Sequence, residues 1–211
     1  MNKKVWIFGD SYASREDNEN TWPAKLEDTH KVVNFARRGT GVDWSLQQMI
    51  NAANVDNTKD ITVIFFLTEQ NRHNWNFWQD PREQWKSKHL GAGNKRLKIT
   101  NPAIYKYKRY FSFVKDFYKF QDDNFNSRSI IKSIGTINLY ASNFEKILIW
   151  FCFDDVLLNC KLNNNVTIAS PCMTDFEPIM DPLSLLPNHL NEEKHKEMLQ
   201  ILVKWIDTNE F

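Results

Sequence analysis

Val5-Trp6-Ile7-Phe8-Gly9-Asp10-Ser11 is the stretch that decides the fold. Four apolar residues run into a glycine and two small polar ones, the pattern of a buried strand ending in a tight turn. The pattern returns along the chain. Val32-Val33-Asn34-Phe35 reads as a second strand, followed by the loop Arg37-Arg38-Gly39-Thr40-Gly41, and Ile61 to Leu67 is a third, apolar almost throughout. Ile147 to Phe153 and Val166-Thr167-Ile168-Ala169 supply a fourth and a fifth. Helical stretches alternate with them: Trp22 to Leu26, with Thr21 as N-cap and Pro23 in the first turn, and Asp43, read as a cap, to about Ala53. A third spans 128–143. The last covers 191–207, with Asn191 as its cap and Met198, Leu199, Leu202 and Trp205 facing inward. Apolar strands separated by helices need cover on both faces. This predicts one α/β domain over residues 1–211, a three-layer α/β/α sandwich on a parallel sheet of about five strands.

One region breaks the alternation. Residues 68–102 are polar, rich in Trp, His and Asn, and show little periodicity, and 103–121 then reads as a helix with Tyr107, Tyr110, Phe111, Val114, Phe117 and Tyr118 on one stripe. The expectation is a helical insertion at about 68–143, between the third and fourth strands. Lys106, Lys108 and Arg109 alternate with its tyrosines as in some nucleic-acid binders. The single apolar stripe favours a core helix with a solvated basic face.

Composition removes whole classes of function. The 27 basic and 26 acidic residues nearly cancel, whereas a chain binding nucleic acid or a membrane surface mainly by charge carries a basic excess. The only apolar run near Met1 is Val5 to Phe8, too short for a signal-peptide core or a membrane span. Cys152, Cys160 and Cys172 are an odd number without metal-type spacing, which fits reduced thiols and a cytoplasmic setting. No His-Glu-x-x-His and no complete dinucleotide or phosphate-loop fingerprint occurs, so neither metal nor cofactor is expected.

Two residues suggest chemistry. Ser11 follows the first strand and so belongs at the carboxyl edge of the sheet, where open α/β folds place ligands. His189, in Pro187-Asn188-His189-Leu190-Asn191, precedes the last helix and can reach that edge. A neutral imidazole is the natural base for a hydroxyl that does not ionise at pH 7. His30, His73, His89 and His195 read instead as surface or capping residues.

These motifs resemble the SGNH (GDSL-type) hydrolase superfamily, a flavodoxin-like sandwich. Gly9-Asp10-Ser11 is similar to the block that carries the family's nucleophilic serine, and Asn34-Phe35-Ala36-Arg37-Arg38-Gly39 to the block whose glycine N–H joins the oxyanion hole. His189-Leu190-Asn191 is similar to the block with the catalytic histidine. The resemblance implies a serine esterase, including an O-deacetylase, acting on small or carbohydrate-linked esters. In it Ser11 and His189 are catalytic, and the Ser11 and Gly39 N–H groups form an oxyanion hole. Asp10, Arg72, Trp75 and Trp78 would face the substrate. The Trp75–Trp85 stretch either overhangs the cleft or packs the insertion onto the domain, and Arg72 either binds an anionic substrate or makes a surface ion pair.

Two blocks depart from the pattern. Where the family has Gly-x-Asn-Asp, this chain reads Thr68-Glu69-Gln70-Asn71-Arg72, so Gln70 or Asn71 would supply the oxyanion-hole amide. Where the family has an aspartate three residues before the histidine, this chain has Leu186. Asp181, or more remotely Asp175, would then be the third member, or a Ser-His dyad works alone, and the dyad is the favoured form. The same departures motivate a rival reading, an SGNH-like binding protein such as a phage accessory protein. The partner implied is a small-molecule or glycan ester, with no nucleic acid and no membrane.

Overall fold

The computed structural model describes residues 3–10, 12–15, 19–37, 40–55, 57–67, 123–152, 161–169 and 190–210. Five strands, β1 (Lys4–Phe8), β2 (Lys31–Asn34), β3 (Ile61–Leu67), β4 (Lys146–Phe151) and β5 (Val166–Ala169), form one sheet in the order β2-β1-β3-β4-β5, every pair parallel. Four α-helices accompany them among the described residues: α1 (Trp22–Leu26), α2 (Val42–Val55), α3 (Asp123–Tyr140) and α4 (Glu192–Thr208). The expected α/β/α sandwich is what the chain forms.

Strand alternation builds the layers. Val5 and Ile7 of β1, with Ile64 and Phe66 of β3 and Leu148 and Trp150 of β4, face Trp22 and Leu26 of α1 and Met198, Leu202, Trp205 and Ile206 of α4. Trp6 and Phe8, with Val63, Phe65, Ile147 and Ile149, face Leu46 and Met49 of α2 and Ile134 and Ile137 of α3. All seven residues of β3 are buried. A central strand covered on both faces has no side that water can reach, hence its unbroken apolar run.

Several boundaries differ from the sequence reading, each for a local reason. Asp43 does not cap α2. The helix already includes Val42, and Asp43 lies in its first turn, where a carboxylate suits the positive helix end. Thr21 has the extended backbone of an N-cap but its side chain makes no capping bond, and its hydroxyl donates to the Arg15 carbonyl at 3.3 Å. Asn191 does cap α4, its side chain accepting from Lys194 N–H at 2.8 Å. β2 stops at Asn34, although Phe35 N–H still bonds the Ile7 carbonyl at 2.8 Å and the Phe35 ring stacks on Phe8 at 4.9 Å. The helix expected over 128–143 begins at Asp123 and ends in a 3₁₀ turn, Ala141–Asn143. It packs on the sheet as the crossover between β3 and β4, so this part of the expected insertion belongs to the core layer. The helix expected over 103–121 lies outside the described residues. His30 is not a surface residue. It is buried, 2.8 Å from the Thr29 hydroxyl through Nδ1, with Nε2 3.8 Å from Asp207.

The amino edge of the sheet holds the far end of α4. Lys146, buried at the start of β4, donates from Nζ to the carbonyls of Trp205 at 2.9 Å and Ile206 at 2.8 Å and to the Asn209 side chain. It also lies 4.6 Å from the centroid of the Trp205 ring. Lys3 Nζ donates to the Ile206 carbonyl at 2.6 Å. Cations belong at the negative end of a helix, here closed by Asn209 in the left-handed conformation at φ 66°.

Burial, and then the Lys3 charge, hold the Lys146 ammonium below its ordinary 10.5, against the opposing pull of Glu145 and Asp207. The unfolded chain thus keeps this proton to higher pH than the folded one. Stability therefore rises between the lowered folded value and 10.5. Lys146→Met is expected to lower the unfolding free energy at neutral pH by about 1–2 kcal/mol, as lost charge-assisted bonds do. Urea titrations of both proteins through the alkaline range check this, and the variant should lack the alkaline rise.

Candidate active site at the carboxyl edge

The carboxyl ends of β1 and β3 mark the point where the strand order reverses, with β2 on one side of β1 and β3 on the other. Open α/β sheets hold ligands at such a point. Here β1 hands over to Gly9, whose φ of 149° is outside the range L side chains adopt readily. A Cβ on Gly9 would stand 2.8 Å from Phe66 Cβ, 3.2 Å from the Phe66 carbonyl oxygen and 3.2 Å from Ala13 Cβ. Only glycine lets the turn lie this close to β3.

The turn is tied from several directions. Gly9 carbonyl accepts from Arg37 N–H at 3.2 Å and lies 3.3 Å from the Thr40 and Ser45 hydroxyls, both buried. Thr40 Oγ1 is closer to the Arg37 carbonyl, at 2.7 Å, so its one hydrogen goes mainly there. Ala13 N–H donates to the Asp10 carbonyl at 3.2 Å, and Trp22 Nε1–H to the Tyr12 carbonyl at 2.9 Å. Asn34 Nδ2 donates to the Ala13 carbonyl at 2.9 Å while its Oδ1 accepts from Ala36 N–H at 2.8 Å. Every described carbonyl from Gly9 to Ala13 is thus engaged, which fixes the path of the backbone on either side of Ser11.

Asp10 has a different part from the substrate contact expected of it. Its side chain is fully buried and its Oδ1 accepts from Tyr12 N–H at 3.1 Å, closing a turn within its own loop. Arg37 stands at the rim, its guanidinium 5.8 Å from the centroid of the Trp44 ring on α2.

Ser11, Gly39, Gln70, Asn71, Arg72, Trp75, Trp78, Asp181 and His189 lie outside the described residues, as do Asp175, His73 and His89. Their described neighbours nonetheless converge. Arg37, two residues before Gly39, is bonded to Gly9, two residues before Ser11. Leu190, directly after His189, packs on the core cluster that contains Tyr12, Ala13 and Trp22. Because Lys3 and Lys146 anchor the end of α4 at the amino edge, its beginning lies about 25 Å away, toward the carboxyl edge.

His195, read as a surface or capping residue, lies half-buried on α4 and caps α1, its Nδ1 accepting the Trp22 N–H at 3.3 Å. Sequence reasoning missed which helix it caps, and it missed the Thr40 and Ser45 hydroxyls on Gly9, because nothing in the spacing signals either contact. Among the described residues no group of three or more His, Cys, Asp or Glu is placed to hold a metal ion. No helix among them is long and apolar enough to cross a membrane.

No family model and no curated protein matches the chain. Solved structures do. A member of the lipolytic protein G-D-S-L family from Veillonella parvula superposes with a TM-score of 0.50 at 12% identity, over 98% of this chain and 97% of that one. A protein from Desulfitobacterium hafniense assigned to the same family gives a TM-score of 0.36 at 16% identity, over 94% and 97%. The sheet order, the glycine turn after β1 and the end-to-end likeness to the Veillonella protein make this a chain of SGNH-like α/β/α fold.

Proposed function

We propose that the chain is a divergent SGNH-type serine esterase. The observation that carries this reading is the Gly9–Tyr12 turn, tied at every described carbonyl and set at the switch point of the sheet, with Ser11 in its middle. Ser11 Oγ attacks the ester carbonyl carbon while His189 takes its proton. The tetrahedral oxyanion is held by the Ser11 and Gly39 N–H groups and by the amide of Gln70 or Asn71. The C–O bond to the alcohol then breaks, and the alcohol leaves with the proton from His189. Water, deprotonated by His189, attacks the acyl carbon; the bond to Ser11 Oγ then breaks, the oxygen takes the proton back from His189, and the acid is released. Leu186 stands where the family's aspartate belongs, which supports a dyad, with Asp181 as the candidate third member.

The substrate class is a small or carbohydrate-linked ester, including O-acetyl groups, bordered by Arg72, Trp75 and Trp78. The setting we propose is cytoplasmic. Purified protein is expected to hydrolyse p-nitrophenyl acetate or butyrate and to be labelled on Ser11 by a fluorophosphonate. Peptide mapping that finds no label on Ser11, with no turnover, would favour the rival reading of a binding protein that keeps the cleft without the reaction.

A further inference from the structure

A chain of hydrogen bonds leads from α4 through α1 to the loop that carries Ser11. His195 lies in the first turn of α4, and its Nδ1 is 3.3 Å from the backbone nitrogen of Trp22, the first residue of α1. A helix leaves its first N–H groups without intrahelical partners. Thr21 at the N-cap position makes no side-chain cap bond, so His195 supplies the acceptor from another helix. Nδ1 is therefore the unprotonated ring nitrogen. The Trp22 side chain is fully buried, 5.3 Å from the Phe66 ring centroid to centroid. Its indole N–H donates to the Tyr12 carbonyl at 2.9 Å, and Tyr12 N–H donates to Asp10 Oδ1 at 3.1 Å. Ser11 is the residue between Asp10 and Tyr12.

We infer that Trp22 and His195 are positioning residues for the Ser11 loop, acting through the Tyr12 peptide rather than on substrate. The inference rests on the reading of Ser11 as nucleophile. β1 fixes one end of the loop, at Gly9. The other end leaves the sheet, and there Asn34 donates to Ala13 and Trp22 to Tyr12. Trp22 is in turn seated by His195 and by packing on Phe66. Removing the indole N–H takes this donor from a buried carbonyl and loosens the hold on the peptide. A nucleophile misplaced by about 1 Å loses about 10²-fold in rate.

Trp22→Phe keeps most of the packing and removes the bond. It is expected to lower kcat on p-nitrophenyl acetate about ten- to hundred-fold, with KM changed less than about twofold, and to slow fluorophosphonate labelling of Ser11 in step. His195→Leu is expected to do the same more weakly. His195→Asn, whose Oδ1 stands near the place of Nδ1, should restore most of the rate, which a general loss of stability would not allow. Amide hydrogen exchange supplies a readout independent of turnover. Tyr12 and Ala13 should lose about tenfold protection in Trp22→Phe and His195→Leu, while Ile7 in β1 keeps its own. Unchanged exchange and labelling in both variants, or Asn as impaired as Leu at position 195, overturns the inference. Loss of protection in the two variants, beside a wild type that neither turns over ester nor takes the label, would instead uphold the positioning contact and sink the esterase reading. If Trp22→Phe does not fold, the pair at position 195 carries the test.

Discussion

Ser11→Ala is expected to cut hydrolysis of p-nitrophenyl acetate by on the order of 10⁴-fold, with the circular dichroism spectrum and the unfolding midpoint unchanged. The size follows from what the side chain does. In the proposed mechanism the hydroxyl supplies the bond-forming atom, and without it only the oxyanion-hole donors and binding would remain, which together support a small residual rate over water. Stability should not move, because the described bonds that shape the loop run through backbone groups, Asp10, Trp22 and Asn34. An acetyl-enzyme should accumulate in the wild type if deacylation is slow, and an initial burst of nitrophenolate would show it. Equal rates for wild type and variant would place the reaction elsewhere or remove it.

Gly9→Ala is expected to destabilise the fold by about 3–5 kcal/mol, a large share of the stability of a domain this size. Two costs add. An L residue at φ 149° carries backbone strain of about 1–3 kcal/mol, and a Cβ forced to 2.8 Å from Phe66 Cβ adds an overpacking cost of similar size. Neither neighbour can yield cheaply. Phe66 lies in β3, which is hydrogen-bonded to β1 on one side and β4 on the other, and its ring stacks on Trp150 at 5.9 Å. Urea unfolding should show the midpoint fall with the slope unchanged. Any Gly9→Ala protein that does fold should also react more slowly at Ser11, because relief of the clash must move the turn. A midpoint equal to wild type would mean that the turn is looser than these distances imply.

The strands were legible because burial on both faces leaves few choices of residue. Ile61–Leu67 and Val166–Ala169 read from the sequence with their observed limits, and the glycine ending β1 marked the switch point. Helix ends were read less well. Asp43 and Thr21 are both residue types that cap helices, yet one lies inside its helix and the other donates its hydroxyl to Arg15. Capping depends on where the chain comes from before the helix, and sequence type does not carry that. His195 is the clearest case. As a lone histidine on an amphipathic helix it carried no chemical signal, and its partner lies 173 positions away in the chain.

By itself the sequence determined the layer architecture, through apolar runs that only a sheet covered on both faces can satisfy, and it nominated Ser11 by its place after the first of those runs and His189 by its place before the last helix. Tertiary structure alone decided how the Ser11 loop is held. Arg37, Thr40 and Ser45 on Gly9, Trp22 on Tyr12 and His195 on Trp22 are contacts between separate elements, from 10 to 173 positions apart in the chain. Periodicity reports which face of an element is buried. It carries no information about which polar atom on a distant element will meet a given carbonyl, since that depends on how the layers stack.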